Sequence, residues 1–295
     1  MSAIIEVNRV TVRYGRKTAV DNVTLAVLQS SVFALLGRNG AGKSSLVRCL
    51  LGQQKPSRGD IRLFGHDIWR DRARLMERVG VVSEEADAPP EMSVAAIAEF
   101  CGRVYARWDQ AGVEARLARF GIASKTRFGA LSKGQKKQVS LALALAISPD
   151  LLVLDDPTLG LDVVARKSFF EEVIGELADR GITVLLTTHD LAGVETIADR
   201  VAILRDGELV LDEELETLKA RFRRIRFAAQ PQALQESALR TAVVRQWGSG
   251  AEAVVTNYED LAFERFQASL GAGAEVASMS LEEIFIAVAG EEPQS

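Results

Sequence analysis

Long apolar runs are missing from this chain of 295 residues. The longest, residues 141–147 and 151–154, fall far short of the roughly 18 residues that a membrane-spanning helix needs. Any role at a membrane is therefore expected to be played from outside the bilayer. Residues 1–9 hold no apolar stretch of the kind a secretory signal carries, so no such signal is expected. Cysteine is scarce. Cys49 and Cys101 are the whole supply, with no CxxC, which is too little for a zinc site. Both stand among apolar neighbours in helix-like stretches and read as buried small hydrophobes in a reducing cytosol. A charge excess of one sign is also absent, at 36 basic against 40 acidic residues and a net charge of −4. That excludes the strongly basic surface of a nucleic-acid coat protein or of a protein drawn to lipid by charge. Internal repeats and low-complexity tracts are missing too.

What is present is an ordinary globular composition, 47% hydrophobic and 26% charged. The length suits one large domain plus a smaller one. Residues 4–12 and 20–28 alternate apolar and polar types and read as strands at a sheet edge. Residues 31–36 read as a buried strand, followed by a glycine-rich turn and a helix over 43–51. Residues 91–147 form a mostly helical block, with helices expected after Ser93, over 109–121 and over 133–147. Buried strands follow at 151–154, 182–187 and 201–204, with helices at 163–180 and 191–199 between them. Strands alternating with helices predict a parallel sheet covered on both faces. Asp206-Gly207 between apolar flanks predicts a two-residue hairpin. From residue 212 the pattern changes to a smaller mixed α/β unit running to 295. It has a helix over 213–222, short strands at 224–228, 242–247, 253–256 and 274–277, and a helix over 258–270. Ser280-Leu281-Glu282-Glu283 is a capping box that opens a last helix. The basic stretch 221–226 reads as a solvated face.

The sharpest motif is Gly37-Arg38-Asn39-Gly40-Ala41-Gly42-Lys43-Ser44, which fits GxxxxGK[ST] between a buried strand and a helix. Its glycines let successive N–H groups curl toward phosphate oxygens, and the helix N-terminus adds positive potential. Lys43 is placed to reach the β and γ phosphates, and Ser44 to offer a hydroxyl to Mg²⁺. Such a cradle does not name a function by itself. The absence of an NKxD segment argues against a guanine nucleotide.

Four further segments follow in order: Leu131-Ser132-Lys133-Gly134-Gln135, then 151–157 ending in Asp155-Asp156-Pro157, then 159–162 ending in Asp162, then Thr187-Thr188-His189-Asp190. In this order after the phosphate loop they resemble the ABC ATPase family, over about residues 4–211. The resemblance implies a P-loop α/β core with a mainly parallel sheet, an antiparallel β edge and an inserted helical subdomain over about 91–147; the small α/β unit over 212–295, read from the sequence pattern, would follow it as a C-terminal accessory domain. It implies ATP and Mg²⁺ as ligands. Tyr14 resembles the aromatic that stacks on adenine, and residues 37–45, through Ser45, bind the phosphates. Asp155, Ser44 and Glu84 would hold the metal. Asp156 would polarise the attacking water, and His189 would contact the γ-phosphate. Leu131, Ser132, Lys133, Gly134 and Gln135 resemble the signature segment, which serves the nucleotide of the opposite subunit. Asp162 resembles the acid that crosses between the two sites.

Two positions depart from the family pattern. Asp156 stands where the family usually has Glu, and Glu84 where it usually has Gln. Lys133, the segment 105–109 and the segment 280–286 resemble the bacterial antibiotic and multidrug export branch. The implied partners are a second ATPase subunit and a separate membrane permease, with no nucleic acid. The implied place is the cytoplasmic face of the cell membrane. A weakly hydrolysing regulatory subunit in a heterodimer, and a soluble ABC ATPase outside transport, are the alternatives at this stage.

Overall fold

A computed structural model describes every residue except Met1, 86–87, 189, 229–231, 236, 249, 271–272 and 291–295. The chain opens with β1 (Ala3–Tyr14) and β2 (Lys17–Leu28), paired antiparallel across a two-residue turn. β3 (Val32–Gly37) and α1 (Lys43–Leu50) flank the glycine-rich loop. Next come β4 (Arg58–Leu63), β5 (His66–Asp67), α2 (Arg72–Met76) and β6 (Val79–Val82). The helical block holds α3 (Val94–Val104), α4 (Gln110–Arg119) and α5 (Lys133–Ala146). The chain then alternates through β7 (Leu151–Asp155), α6 (Val163–Arg180), β8 (Thr183–Thr187), α7 (Leu191–Glu195), β9 (Arg200–Arg205), β10 (Glu208–Glu214) and α8 (Leu215–Arg221). Last come β11 (Arg223–Phe227), α9 (Gln232–Gln235), β12 (Thr241–Trp247), β13 (Gly250–Val255), α10 (Asp260–Leu270), β14 (Ala274–Ser278) and α11 (Leu281–Ala289).

Three sheets result, with strand orders β2-β1-β4-β5, β10-β9-β3-β8-β7-β6 and β12-β13-β11-β14. The central six-stranded sheet is parallel except for β10 at its edge. All six residues of β3 are buried, because the strand is covered on both faces. Val32, Ala34 and Leu36 point to one core, which α5, α6, α8 and α11 complete with Leu141, Phe169, Leu218 and Leu281. Phe33 and Leu35 point to the other, which β1, β2 and α1 complete with Val7, Val20 and Leu46. The period-two alternation of one short strand thus holds two layers together. Residue 212 lies inside β10, and α8 and α11 share the first of these cores. A separate core around Ile225, Phe227, Ala253 and Phe266 belongs to β11, β13 and β14 with α9 and α10. The helical block has its own, around Ile97, Val113, Phe128 and Val139.

The expected elements shift at three places. The helix expected over 191–199 stops at Glu195, because Asp199 leaves it to pair with β3. Asp199 accepts from the Val32 N–H at 2.7 Å and its own N–H returns to the Val32 carbonyl at 2.9 Å. The helix expected from residue 213 starts at Leu215, because Glu213 and Glu214 continue the β9 ladder opposite Val201 and Arg200. Residues 58–82, which carried no expectation of structure as a whole, form three strands and a short helix. In the basic stretch, Arg221 pairs with Glu213, Arg224 with Glu283 and Arg226 with Glu252. No helix among the described residues is long and apolar enough to cross a membrane.

Candidate functional site

The carboxyl ends of β3, β7 and β8 lie side by side, the usual place for a ligand in a parallel sheet. β3 delivers the glycine-rich loop there. Gly42 has φ of 107°, and a Cβ at this position would lie 2.3 Å from the Ala19 carbonyl oxygen, so only glycine fits. α1 starts directly after it, with no side chain capping its first turn and no acid within that turn. Its leading N–H groups therefore face the loop, where an anion would complete them. Lys43 is 7% exposed, and its Nζ donates to the Gly37 carbonyl at 2.6 Å and to the Arg38 carbonyl at 3.3 Å. The ammonium is thus folded into the loop it would share with a phosphate. Burial lowers its pKa below the ordinary lysine value, while Asp156, Asp155 and Glu84 act in the opposite sense.

β7 delivers the acids. Asp155 pairs in register with Thr187 of β8, whose Oγ1 donates to Asp155 Oδ1. Asp156 follows in left-handed backbone, with φ of 46°. Its N–H donates to the Thr187 carbonyl at 2.9 Å, and its side chain is buried. A cavity of about 370 Å³ is walled by Tyr14, Arg38, Asn39, Gly40, Gly42, Lys43, Ser44 and Ser45 together with Glu84 and Asp156. The structure thus gathers the expected phosphate-binding residues and both departures from the family pattern around one space. Gly37 and Ala41 wall an adjoining cavity of about 1090 Å³ with Arg38, Asn39 and Gly40. The Tyr14 hydroxyl donates to Gln54 Oε1 at 2.5 Å and lies 3.3 Å from Ser45 Oγ, which sets the ring at the loop's mouth. His189 lies outside the described residues.

The Ser44 hydroxyl and the carboxylates of Glu84 and Asp156 line this space, and Asp155, outside that lining, lies near enough to act on the Lys43 charge. No group of three or more metal-ligating His, Cys, Asp or Glu side chains forms among the described residues. The described residues thus offer no all-protein cage, while one or two carboxylates beside a phosphate cradle fit magnesium, which takes its remaining ligands from phosphate and water.

The segment that resembles the signature, 131–135, lies elsewhere. Ser132 caps α5 by accepting from the Gln135 N–H at 3.2 Å, and Gln135 Oε1 accepts from the Ser132 N–H at 3.1 Å. Leu131 is buried beneath, in the core of the helical block. Asp162 caps α6 through the Ala165 N–H at 2.8 Å. Ser132, Lys133, Gly134, Gln135 and Asp162 line a second space of about 650 Å³ that shares no residue with the first. One chain therefore does not bring its signature segment to its own phosphate loop.

Two neighbours of the site, Thr187 of the 187–190 segment and Lys137, were given no role in the sequence. Thr187 holds Asp155, and the buried Lys137 donates from α5 to the Asp156 carbonyl at 3.1 Å. A lysine on the mainly apolar buried face of 133–146, beside the buried Gln138, was the signal for the second.

Residues 20–159 match the family model described as ABC transporter. The bacitracin transport ATP-binding protein BcrA of Bacillus licheniformis is 30% identical over 226 residues, covering 76% of this chain and 74% of that protein. The Nod factor export ATP-binding protein I of Paraburkholderia xenovorans is 39% identical over 216 residues, covering 71% and 70%. Among solved structures, an ATP-binding subunit of an ABC transporter superposes with a TM-score of 0.68 at 26% identity, covering 74% of this chain and 92% of that one.

Proposed function

The chain belongs to the ABC transporter family, as an ATP-binding subunit, and on that premise we propose that it hydrolyses ATP to power export through a separate membrane permease. Two copies would close head-to-tail over two nucleotides at the cytoplasmic face of the membrane. The observation that carries this reading is the division of the site. The phosphate loop, Glu84 and Asp156 share one space, and the signature segment and Asp162 share another. A second chain, turned about, would present its α5 N-terminus to the first chain's phosphates. The export direction rests on the relative from Paraburkholderia xenovorans, an export ATP-binding protein. The chain's two parts would then divide the work, with the ATPase unit ahead of residue 212 and an accessory unit after it.

The chemistry is mostly positioning and charge stabilisation. The loop N–H groups and Lys43 bind and orient the β and γ phosphates. Tyr14 offers its ring to the base. Ser44, Asp155 and Glu84 would hold Mg²⁺, which when bound offsets phosphate charge. Asp156 accepts a hydrogen bond from water and directs it at the γ-phosphorus. Its carboxylate stands on a side chain one C–C bond shorter than Glu, about 1.5 Å, so the expected hydrolysis is slow. Ser132 and Gly134 of the partner chain close the site over the γ-phosphate, and His189 would contact it. A second reading, a weakly hydrolysing regulatory subunit in a heterodimer, draws on the same Asp156.

Turnover of Mg·ATP by the purified chain tests the proposal. Steady hydrolysis is expected, with loss of both nucleotide binding and turnover in Lys43→Ala. Turnover by Lys43→Ala equal to the parent would overturn the assignment of this site. Tight ATP binding with no turnover in the parent would select the regulatory reading.

A further inference from the structure

Lys137 is 3% exposed, among the most buried charged side chains described. It sits one helical turn past the start of α5. Its Nζ donates to the Ser83 carbonyl at 2.6 Å as well as to the Asp156 carbonyl at 3.1 Å. Ser83 immediately precedes Glu84, just after β6 ends. One ammonium therefore ties together the two segments that carry the departures from the family pattern. A charge so deeply buried persists only where its surroundings need it, because desolvation opposes it. Four acids, Asp156, Asp155, Glu84 and Glu85, act on it in the opposite sense to burial. Asp156 also needs holding. Left-handed backbone at a non-glycine residue persists only where several contacts determine it, and here the Thr187 carbonyl takes the Asp156 N–H while Lys137 takes its carbonyl.

We propose that Lys137 is a positioning residue for ATP hydrolysis, clamping the backbone of Ser83 to that of Asp156 so that Glu84 and the short Asp156 carboxylate face one water. This rests on the reading of the 370 Å³ space as a hydrolytic site. It also joins the two half-sites of one chain. α5 begins at Lys133 in the second space, and one turn later the same helix holds the chemistry of the first. Engagement of the partner's nucleotide at Ser132 thereby bears on water positioning in this chain's own site.

The test compares Lys137→Met, which keeps the bulk and removes the ammonium, with Lys137→Arg, which keeps charge and donors. Lys137→Gln, which keeps a shorter donor, stands in should Lys137→Met not fold. Three readouts are taken: kcat and KM for Mg·ATP, affinity for a fluorescent ATP analogue, and amide hydrogen exchange in the nucleotide-free chain. The expected result for Lys137→Met is a kcat at least tenfold lower, with KM and analogue affinity within twofold of the parent. Exchange should quicken at Glu84, Glu85 and Asp156, and Lys137→Arg should regain most of the kcat. A Lys137→Met chain with parental kcat overturns the role, whatever the exchange shows. A kcat that falls together with affinity across the whole site, with no local change in exchange, reduces Lys137 to packing and overturns it as well. A parent that binds ATP but never turns over defeats the hydrolytic reading and this role with it. In that event the exchange data still report whether the clamp exists.

Discussion

On the proposed reading, the chemistry at Asp156 turns on one carbon–carbon bond. A reacting group displaced by about 1 Å can lose about a hundredfold in rate, and the shorter side chain risks a shift of that size. Its left-handed φ of 46° and its two backbone anchors set the direction from which the carboxylate approaches. Asp156→Glu is expected to turn over faster than the parent, by about tenfold in kcat, as measured by phosphate release. A slower variant would mean that local geometry already compensates for the missing carbon. At the same scale, burial pushes the Cys49 thiol up to about 11. The thiolate is the reactive form, so at pH 8 Cys49 should resist iodoacetamide in the folded chain and react once urea unfolds it, as mass spectrometry of the peptides would read. The phosphate-loop residues were legible in the sequence because the chemistry demands those residue types in consecutive order. Lys137 was not, because its partners Ser83 and Asp156 are distant in the chain and are carbonyls, which no residue type announces.

The helical block is fastened to the ATPase core by a buried ion cluster between α4 and α6. Arg116, 5% exposed, donates to Glu172 at 2.8 Å and pairs with Glu176, while Arg119 reaches Glu172 at 2.8 Å. Removing one partner from such a cluster strands the other charges, at a cost of about 3–5 kcal/mol. Arg116→Met should lower unfolding stability in urea by about that amount, and a loss under 1 kcal/mol would show that the acids find other partners. The cap on α11 is a smaller device. Ser280→Ala should cost about 1 kcal/mol, seen as a lower urea midpoint at unchanged slope. This cap was readable because a capping box is local in sequence. The end of α7 and the start of α8 were not, since Asp199 is drawn away by β3, far off in sequence, and Glu213 extends the β9–β10 hairpin ladder beyond its apolar flanks.

Across the whole molecule, β3 lies between β9 and β8, so the phosphate loop, the paired acids and Thr187 emerge at one edge of one sheet. Strand–helix alternation made the parallel sheet legible from residue 151 onward. β4 and β5 escaped notice because they bury few side chains, Ile61 and Leu63 alone in β4, and β6 because its buried run is only four residues long. α8 and α11 rest in the ATPase core, although sequence pattern places them with the C-terminal unit, because packing partners are not written in periodicity. What the fold leaves open is the distance between the two half-sites of one chain. Sedimentation of the Asp156→Asn chain, which should bind ATP without consuming it, measures whether a second copy closes that gap. The prediction is a particle of twice the 32.0 kDa chain mass with ATP and of a single chain with ADP, and Ser132→Arg on the same background should remain single in both. A single-chain mass at saturating ATP, or an ATP-induced dimer that Ser132→Arg leaves intact, would contradict a site completed by the partner's signature segment.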